Sequence, residues 1–335
     1  MPESYAGRRA AEARQAIDRS IAHQVVRLVS SRGDATVIDL TPHVQNLPPL
    51  NRIVSLGGDR LRQQVFDELN APEQMRGSRT PWPKVDEVFR MRAGEVTAWI
   101  GPNNEGKSTA VLHVMGSLAL AGERCLVASL EMPVKDQALV VSRQQLVRDF
   151  GDRARYDRLM DRLDETLSFL DFMGTLGPEP MLALIRYAAR ELHCQHVVVD
   201  NLTKVVPPSM RADEILARFI GAAVLLAYEE SIHLHLVGHV RKPKAGEALS
   251  RYDWRGTGAA SDMVDNVLIV QDNPKKKAVV DNEVDALDDS FDTLLCVDKQ
   301  RYGPARRRFR FWFNEEQRRL SSGRGWALRA FDEEN

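Results

Sequence analysis

The spacing of apolar and polar positions predicts a helical beginning followed by a layered α/β region. From residue 8 to about residue 31, apolar side chains recur every three to four positions, which predicts a helix ending near Arg32-Gly33-Asp34. The same spacing predicts a second helix over residues 58–70. A proline-containing connector precedes it, and Pro81-Trp82-Pro83 breaks the chain after it.

Beyond about residue 84, short β-rich apolar runs alternate with helical stretches. The apolar runs cover residues 96–100, 125–130, 196–200, 233–239, 266–270 and 293–297. Helical patterns cover residues 134–149, 180–192 and 213–229. Strands that are apolar on both faces and alternate with helices predict an α/β fold with a mainly parallel, doubly covered sheet. The segment 273–290, lysine-rich and then acidic, is expected to be a surface loop.

Composition narrows the class of protein without naming a partner. The chain has 335 residues, 43% hydrophobic and 28% charged, which suits a soluble protein of one large or two small domains. Its 46 basic and 47 acidic residues give a net charge of −1, so overall charge neither supports nor excludes a nucleic-acid partner. The three cysteines lack metal-ligand spacing and are expected to be reduced core residues. No membrane span or signal peptide is recognisable, so we expect a cytoplasmic protein.

The segment Gly101–Ser108 carries the strongest chemical signal. It reads GPNNEGKS and fits the phosphate-loop pattern G-x-x-x-x-G-K-[ST], between a predicted strand and a predicted helix. Backbone amides at such a helix start point at phosphate, Lys107 would reach the β- and γ-phosphates, and Ser108 would bind Mg²⁺. ATP or another nucleoside triphosphate is therefore the expected ligand. The predicted nucleotide-binding set is Gly101, Asn103, Asn104, Glu105, Gly106, Lys107, Ser108 and Thr109.

Two carboxylates follow predicted strands and could complete the site. Asp200 ends the run Val197-Val198-Val199, where a second Mg²⁺ ligand is needed, although such an aspartate also serves as a turn residue or helix cap. Glu131 follows another strand and could polarise the attacking water. Its position fits a cap of the next helix equally well.

Six segments in one order resemble the ATPase domain of DnaB-like ring helicases, and in particular the Twinkle-like and phage-type replicative helicases. They are GEVTAWIGPNNEGKST, SLEMP, HVVVDNLTK, HLHLVGHVRKP, DWRGTGAASDMVDNV, and VDKQRYG with FRFWFNEEQRRL. The stretch LRQQVFDELNAPEQMRG resembles the linker helix before their motor. The resemblance covers about residues 55–322 and implies a RecA-like P-loop core. It divides the chain into an N-terminal helical extension and connector (1–50), a linker helix that contacts a neighbouring subunit (51–80), and the motor domain (81–335).

The resemblance also assigns catalytic and sensing roles. Glu131 matches the family's catalytic glutamate, and Asp200 matches its Walker-B aspartate. His239 matches the residue that senses the γ-phosphate and relays its state to a DNA-binding loop. Lys299 and Arg301 match the pair that a neighbouring subunit inserts into the nucleotide site, so hydrolysis would require assembly. Without the resemblance, the histidine and the Lys-x-Arg pair would be ordinary polar side chains at strand ends. The predicted catalytic set is Lys107, Glu131, Asp200, His239, Lys299 and Arg301.

A polar loop directly after His239 is the predicted DNA contact. In the family this loop lines the central channel and grips the single-strand backbone, a task that cationic side chains perform without reading sequence. Charged loops are otherwise mostly solvated surface. The predicted DNA-binding residues are Arg241, Lys242, Lys244, Arg251, Arg255 and Gly256. For the cluster Arg306-Arg307-Arg308 we expect a hairpin that faces solvent or another subunit.

Together these features imply an ATP-dependent replicative helicase, a hexameric ring that translocates on single-stranded DNA and unwinds forked duplex. Asp262 stands where some phage relatives carry a nucleotide-sensing glutamine, which is a departure from their pattern. Nothing in residues 1–50 resembles a zinc-binding or primase module, so a separate primase and other replication proteins are the expected partners. Two alternatives remain open. One is a RecA-fold ATPase stimulated by single strands that exchanges strands or remodels initiation complexes without unwinding. The other is a nucleotide-bound scaffold or loader, although Glu131 and Arg301 would be unnecessary there.

Overall fold

A computed structural model gives the architecture of the chain. It describes residues 25–30, 35–39, 59–70, 77–206, 208–209, 211–241, 249–254, 258–273 and 291–323. The strands are β1 (Val25–Ser30), β2 (Ala35–Asp39), β3 (Val96–Gly101), β4 (Cys125–Ser129), β5 (Leu167–Asp171), β6 (His196–Asp200), β7 (His233–His239), β8 (Asn266–Asp272), β9 (Thr293–Lys299), β10 (Arg307–Asn314) and β11 (Arg319–Ser321). The helices are α1 (Asp59–Asn70), α2 (Pro83–Asp86), α3 (Lys107–Leu120), α4 (Val134–Leu146), α5 (Arg153–Asp164), α6 (Pro178–Arg190), α7 (Leu202–Val205), α8 (Ala212–Glu230) and α9 (Gly258–Met263), with a 3₁₀ turn at Arg251–Asp253.

The strands form one mixed sheet with a parallel centre. Their order is β11-β10-β9-β8-β3-β7-β6-β4-β5-β1-β2. The six strands from β8 to β5 run parallel, and the strands added at both margins are antiparallel. The predicted mainly parallel sheet is therefore confirmed, and each of the six predicted apolar runs is a strand.

Two hydrophobic layers cover the two faces of this sheet. Along β3, Val96, Ala98 and Ile100 point into the layer that contains α6 and α8, whereas Trp99 points into the layer that contains α3, α4 and α5. Period-two alternation along a strand accounts for this division. The predicted helices over 134–149, 180–192 and 213–229 correspond to α4, α6 and α8. The three cysteines are buried and free, as expected. Within the described ranges, no helix is long and apolar enough to cross a membrane.

The sequence pattern gave a wrong prediction near the N-terminus and no prediction for one helix and one strand in the middle of the chain. Val25–Ser30 form strand β1, not the end of a helix over residues 8–31. This strand pairs antiparallel with β2 and with β5, and its valines favour the extended conformation at an available sheet edge. Residues 8–24 lie outside the described residues. The pattern also left α5 and β5 unassigned, although it predicted α1 correctly.

The arginine cluster 306–308 lies where β9 turns back into β10. Arg306 occupies this connection with φ of 61°, and its backbone N–H donates to Val297 O at 2.6 Å. All three arginine side chains are exposed. The predicted hairpin is confirmed, and its cationic face points to solvent in the single chain.

A glycine on β7 makes room for a buried tryptophan. Trp254 bridges to Val240 and is almost fully buried. A Cβ added to Gly238 would lie 2.4 Å from Trp254 Nε1 and 3.1 Å from Trp254 Cε2. The close fit packs the far end of the predicted DNA loop against the strand that carries His239.

Replacing Gly238 with alanine should therefore destabilise the fold. We expect Gly238→Ala to lower the free energy of unfolding by about 1–3 kcal/mol, because the indole must move out of a packed site. The exposed helical Gly221 has no heavy atom within 4 Å of an added Cβ. Gly221→Ala should raise the same free energy by about 0.5–1 kcal/mol. Chemical denaturation measures both, and equal effects of the two substitutions would contradict the packing assigned to Trp254.

Three buried histidines form a polar ladder across β6 and β7. Trp99 Nε1 donates to His235 Nδ1 at 3.1 Å, so His235 Nε2 carries the proton that it donates to His196 Nδ1 at 3.2 Å. His233 Nδ1 donates to Arg92 O at 2.7 Å, and its Nε2 lies 2.8 Å from Thr97 Oγ1. Burial lowers the pKa of His233 to about 3 and lowers that of His235 well below its usual value. Burial thus favours the neutral forms of His233 and His235.

A neutral buried histidine makes stability depend on pH. The folded-state pKa of His233 is about 3, whereas the unfolded value is about 6.5, so its contribution is intact above pH 6.5 and is lost as pH falls toward 3. His233→Asn keeps a donor for Arg92 O but takes up no proton. Between pH 7.5 and pH 5, we expect the free energy of unfolding to fall by about 2 kcal/mol less in this variant than in the wild type. Equal losses in the two proteins would contradict this assignment.

Candidate functional site

The carboxyl ends of the parallel strands meet at one edge of the sheet and surround a cavity. There β3 ends at Gly101, β4 at Ser129, β6 at Asp200 and β7 at His239. The cavity has a volume of about 630 Å³. Among the predicted site residues, its lining includes Asn104, Glu105, Gly106, Lys107, Ser108, Thr109, Glu131, Asp200 and His239. The sheet topology therefore brings together residues that are up to 135 positions apart in the printed sequence.

The glycine-rich loop forms the start of helix α3. Asn104 and Gly106 adopt φ angles of 62° and 82°, and α3 begins at Lys107 directly after them. The left-handed turn at Gly106, a conformation that glycine adopts readily, redirects the chain from loop into helix. Gly101 is the last residue of β3, and Asn103 is exposed beside the cavity.

Lys107 is buried within its own loop. Its Nζ donates to Pro102 O. Burial lowers the pKa of the ammonium, while the carboxylates of Asp200, Glu105 and Glu131 oppose that shift. The amine thus lies among acidic groups and next to the start of α3. A phosphate bound there would pair with the Lys107 ammonium and accept hydrogen bonds from the N-terminal amides of α3.

Glu105 acts as a structural anchor. The side chain is buried, and Oε2 accepts a hydrogen bond from the backbone N–H of Asp272 at 2.9 Å. This bond ties the loop to the end of β8, the strand next to β3 in the sheet. The nucleotide-binding role predicted for Glu105 is thus joined by a contact that shapes the loop.

Ser108 and Asp200 lie in direct contact. The Ser108 side chain is hydrogen-bonded to the buried Asp200 carboxylate. Burial raises the pKa of Asp200 to about 6, and the charge of Glu131 adds to this, while Ser108 and Lys107 act in the opposite direction. A hydroxyl and a carboxylate side by side are the hard oxygen donors that Mg²⁺ prefers, so this pair fits a divalent metal ion. The cap that Asp200 could have formed is supplied instead by Asn201, the residue directly before α7.

Glu131 stands at the open side of the cavity. It is about half exposed, and its Oε1 lies 3.9 Å from Lys204 Nζ. The backbone of the preceding residue, Leu130, donates to Asp200 O at 2.6 Å. Helix α4 begins at Val134 after Pro133, so Glu131 does not cap it. Of the two interpretations that spacing left open, the geometry favours a carboxylate directed at the ligand space.

Asn201 links Asp200 to His239 and was missed from the sequence. Its Oδ1 accepts from Thr203 N at 2.9 Å, which leaves Nδ2 to donate to His239 Nε2 at 3.1 Å. His239 lines the cavity and is followed two residues later by Arg241. Only the position of Asn201 directly after Asp200 could have pointed to it.

The hairpin of β10 and β11 supplies the wall opposite the loop. Phe313, Glu315 and Arg318 line it, and the Arg318 guanidinium lies 5.6 Å from the centroid of the Phe313 ring. Gln144 Nε2 donates to Thr109 O at 2.9 Å and to Arg318 O at 2.8 Å, which fixes the hairpin to α3. The aromatic and cationic pair offers a flat surface for stacking a planar ring.

Lys299 and Arg301 lie near the amino-terminal ends of the parallel strands, on the side of the sheet opposite the cavity. Lys299 pairs with Val267 near the start of β8, and the start of β8 is level with the start of β3. Because β3 spans six residues, at about 3.3 Å per residue the two edges are about 17 Å apart. Neither residue lines the cavity. Lys299 Nζ donates to the carbonyls of Ser261, Asp262 and Val264 at 3.0, 2.9 and 2.7 Å.

The described part of the predicted DNA loop shows cationic and aromatic groups in contact. Arg241 Nη2 donates to Tyr252 O at 3.2 Å. The Arg251 guanidinium lies 4.7 Å from the centroid of the exposed Tyr252 ring and donates to its hydroxyl at 2.7 Å. Lys242, Lys244, Arg255 and Gly256 lie outside the described residues.

Comparison with known proteins agrees with this geometry. The DNA helicase/primase of Enterobacteria phage T3 is 25% identical over 213 residues, covering 56% of this chain and 37% of the relative. The match thus spans little more than one third of that relative. A solved ATPase domain superposes with a TM-score of 0.68 at 13% identity, over 81% of this chain and 100% of that chain. A DnaB-like replicative helicase, solved in a study of its interactions with primase, gives a TM-score of 0.66 at 13% identity, over 78% of this chain and 68% of that chain.

The structural likeness at these identities shows the fold, which is the RecA-like P-loop ATPase fold of DnaB-like helicase motors. The P-loop and its neighbouring carboxylate imply nucleotide binding with a divalent metal ion. A family of proteins described as the AAA domain matches residues 66–245, more than half of the chain. The chain belongs to the AAA domain family.

Proposed function

We propose that this chain is the motor of an ATP-dependent DNA helicase that assembles as a ring, translocates on single-stranded DNA and unwinds forked duplex. One observation carries the proposal. Lys107, Ser108, Glu131 and Asp200 converge on a single cavity, while Arg301 projects from the opposite edge of the same sheet. An active site divided in this way suits head-to-tail packing of identical subunits, the geometry that closes rings.

The cavity is suited to ATP with Mg²⁺. Lys107 and the first amides of α3 bind the phosphates, and the pair Ser108 and Asp200 holds the metal ion. When bound, Mg²⁺ would neutralise charge on the β- and γ-phosphates. The base would stack against the surface that Phe313 and Arg318 form on the far wall.

Hydrolysis combines groups from two chains. Glu131 faces the ligand space, where its carboxylate orients the attacking water and accepts a proton from it. Charge spreads over the γ-phosphate oxygens in the transition state, and Arg301 of the neighbouring subunit offsets it. Lys299 would have to give up three carbonyl contacts to join Arg301 there.

The histidine at the end of β7 can couple the nucleotide to DNA. His239 contacts Asn201, the residue after the metal-binding aspartate, and the predicted DNA loop begins at Arg241. A change at the phosphate end of the cavity can therefore reach the loop through one hydrogen bond and two residues of the chain. Cationic side chains beside an exposed aromatic ring, as at Arg251 and Tyr252, suit sequence-independent binding of a single strand.

Helix α1 has the character of a subunit contact. It exposes three apolar side chains, Val65, Phe66 and Leu69, which lie within five consecutive residues of the helix. An amphipathic helix that lays its apolar face into a groove of the next copy would cover them. A separate primase stays an expectation.

Unwinding with a forked duplex tests the whole proposal. We expect the wild-type protein with ATP and Mg²⁺ to displace one strand of a fork, whereas Lys107→Ala loses turnover by about 100-fold or more because a phosphate contact is removed. The exposed Lys135→Ala is the matched control and should keep both activities. Hydrolysis stimulated by single strands without displacement would favour the non-unwinding ATPase. Binding of nucleotide without turnover would favour the scaffold or loader.

Mixing two inactive variants tests the divided site. Arg301→Ala should lower turnover by about 10³-fold or more, and Glu131→Gln should also be inactive. In mixed rings, the intact Arg301 of a Glu131→Gln subunit meets the intact cavity of an Arg301→Ala subunit at about one interface in four. Turnover should therefore recover toward one quarter of the wild-type rate, measured as phosphate release. No recovery in rings shown to contain both variants would rule out the role of Arg301 across the interface.

A further inference from the structure

We propose that Asp265 is a positioning residue that orients the Arg301 guanidinium for the nucleotide site of the neighbouring subunit. The inference rests on the role proposed above for Arg301, and it adds a second residue on which that role depends. Asp265 precedes β8 and was not among the residues that the sequence singled out.

Arg301 forms one ion pair, and its shortest contact is at Nε. This Nε lies 3.0 Å from Asp265 Oδ1, and the two side chains are 59% and 4% exposed, respectively. Within the described residues, the Arg301 side chain has no ion-pair partner other than Asp265. A guanidinium is planar, so fixing Nε fixes the direction in which the two terminal nitrogens point. Those are the atoms that would meet a phosphate in bidentate fashion.

Asp265 is itself fixed to the first residue of the P-loop strand. Its Oδ2 accepts from Val96 N at 2.9 Å, and its own N–H donates to Val96 O at 3.1 Å. The carboxylate is therefore anchored to β3 rather than to a loop. Because the Arg301 end of the ion pair is exposed, the pair contributes little to folding stability, so its value lies in the direction it gives to Arg301.

Lys299 braces the segment that ends at Asp265. Its three donors bind carbonyls at the end of α9 and in the turn after it, immediately before Asp265. Lys299 and Arg301 leave β9 two residues apart, and each is joined to this short segment by a separate contact. The two residues of the Lys-x-Arg pair thus differ in their contacts. Lys299 holds the segment that ends at Asp265, and Arg301 pairs with Asp265 and extends into solvent.

The expected effect of Asp265→Asn follows from counting acceptors. In the wild type one carboxylate oxygen forms the ion pair with Arg301 and the other accepts from Val96 N, whereas an amide has one oxygen and no charge. The buried N–H of Val96 has no solvent to replace its partner, so we expect it to keep the oxygen, and the amide NH₂ then faces Arg301. Misplacing a reacting group by about 1 Å costs up to about 100-fold in rate.

The variant should therefore lose kcat and keep its affinity for nucleotide. We expect kcat of Asp265→Asn to fall by about 10- to 100-fold, with the KM for ATP unchanged because its own cavity is intact. Asp157→Asn is the matched control. It removes a carboxylate that accepts from Arg153 Nε at 2.8 Å on α5, and it should leave kcat unchanged. Adding Asp265→Asn to Arg301→Ala should cause no further loss, because Asp265 acts only through Arg301.

Mixed rings then show on which side of the interface the defect lies. Asp265→Asn with Glu131→Gln should recover toward one quarter of the wild-type rate, because the intact cavity of the first variant meets a well-held Arg301 from the second. Asp265→Asn with Arg301→Ala should not recover, since both defects affect the projecting side.

The outcomes separate this inference from the function on which it rests. If Arg301→Ala and Glu131→Gln fail to complement, the divided site itself is wrong. If that pair complements but Asp265→Asn and Glu131→Gln do not, the defect lies in the variant's own cavity and the positioning role is wrong. An unchanged or raised kcat would also overturn it. Should Asp265→Asn fold poorly, Arg301→Lys tests the same contact from the exposed side: it keeps the charge, lacks Nε, and should lose kcat by a similar factor.

Discussion

The position of β3 between β7 and β8 is the constraint on which the proposed mechanism depends. One end of this strand runs into the phosphate loop, and the other end is bonded twice to Asp265, the partner of Arg301. Because neighbouring strands bond to it on both sides, β3 cannot shift at one end without disturbing the other. A fully buried strand of six residues thereby separates the cavity by about 17 Å from Arg301, the cation that we propose serves the next subunit.

Charge and burial at the cavity complement this arrangement. Lys107 and Asp200 are both buried, and each has a pKa shifted by burial toward its neutral form. Bound phosphate and metal ion would restore the charged forms of both groups, since each brings the opposite charge. Under the proposed function, the site would also need the Arg301 cation of a neighbouring chain, because its own Arg301 lies at the far end of the strands.

Much of the core was predictable from the sequence because it depends on short-range rules. Buried parallel strands read as apolar runs, and the strand–loop–helix context around Lys107 identified the phosphate site. Asp200 and Glu131 could be placed because parallel strands end at one edge, whereas His239 was singled out by the family resemblance. The N-terminal strand Val25–Ser30 could not be predicted in this way. A segment of six residues can satisfy both the helical and the strand periodicity, and pairing with β5 decides between them. Asn201 and Asp265 were missed for a related reason: their partners are distant in sequence or are backbone groups. Phe313 was missed because the phosphate loop, with which it lines the cavity, is distant in sequence. For Lys299, the pattern predicted a role but could not show the carbonyls of α9 that occupy its donors.

The central claim is that one chain carries only part of a working site, and the concentration dependence of turnover tests it most directly. Phosphate release per chain would be measured over a dilution series with saturating ATP, Mg²⁺ and single-stranded DNA, with mass determined by light scattering at each concentration. The account predicts that turnover per chain is near zero where the protein is monomeric, and that it rises to a plateau as the assembly forms. A constant rate per chain down to monomeric concentrations would contradict it.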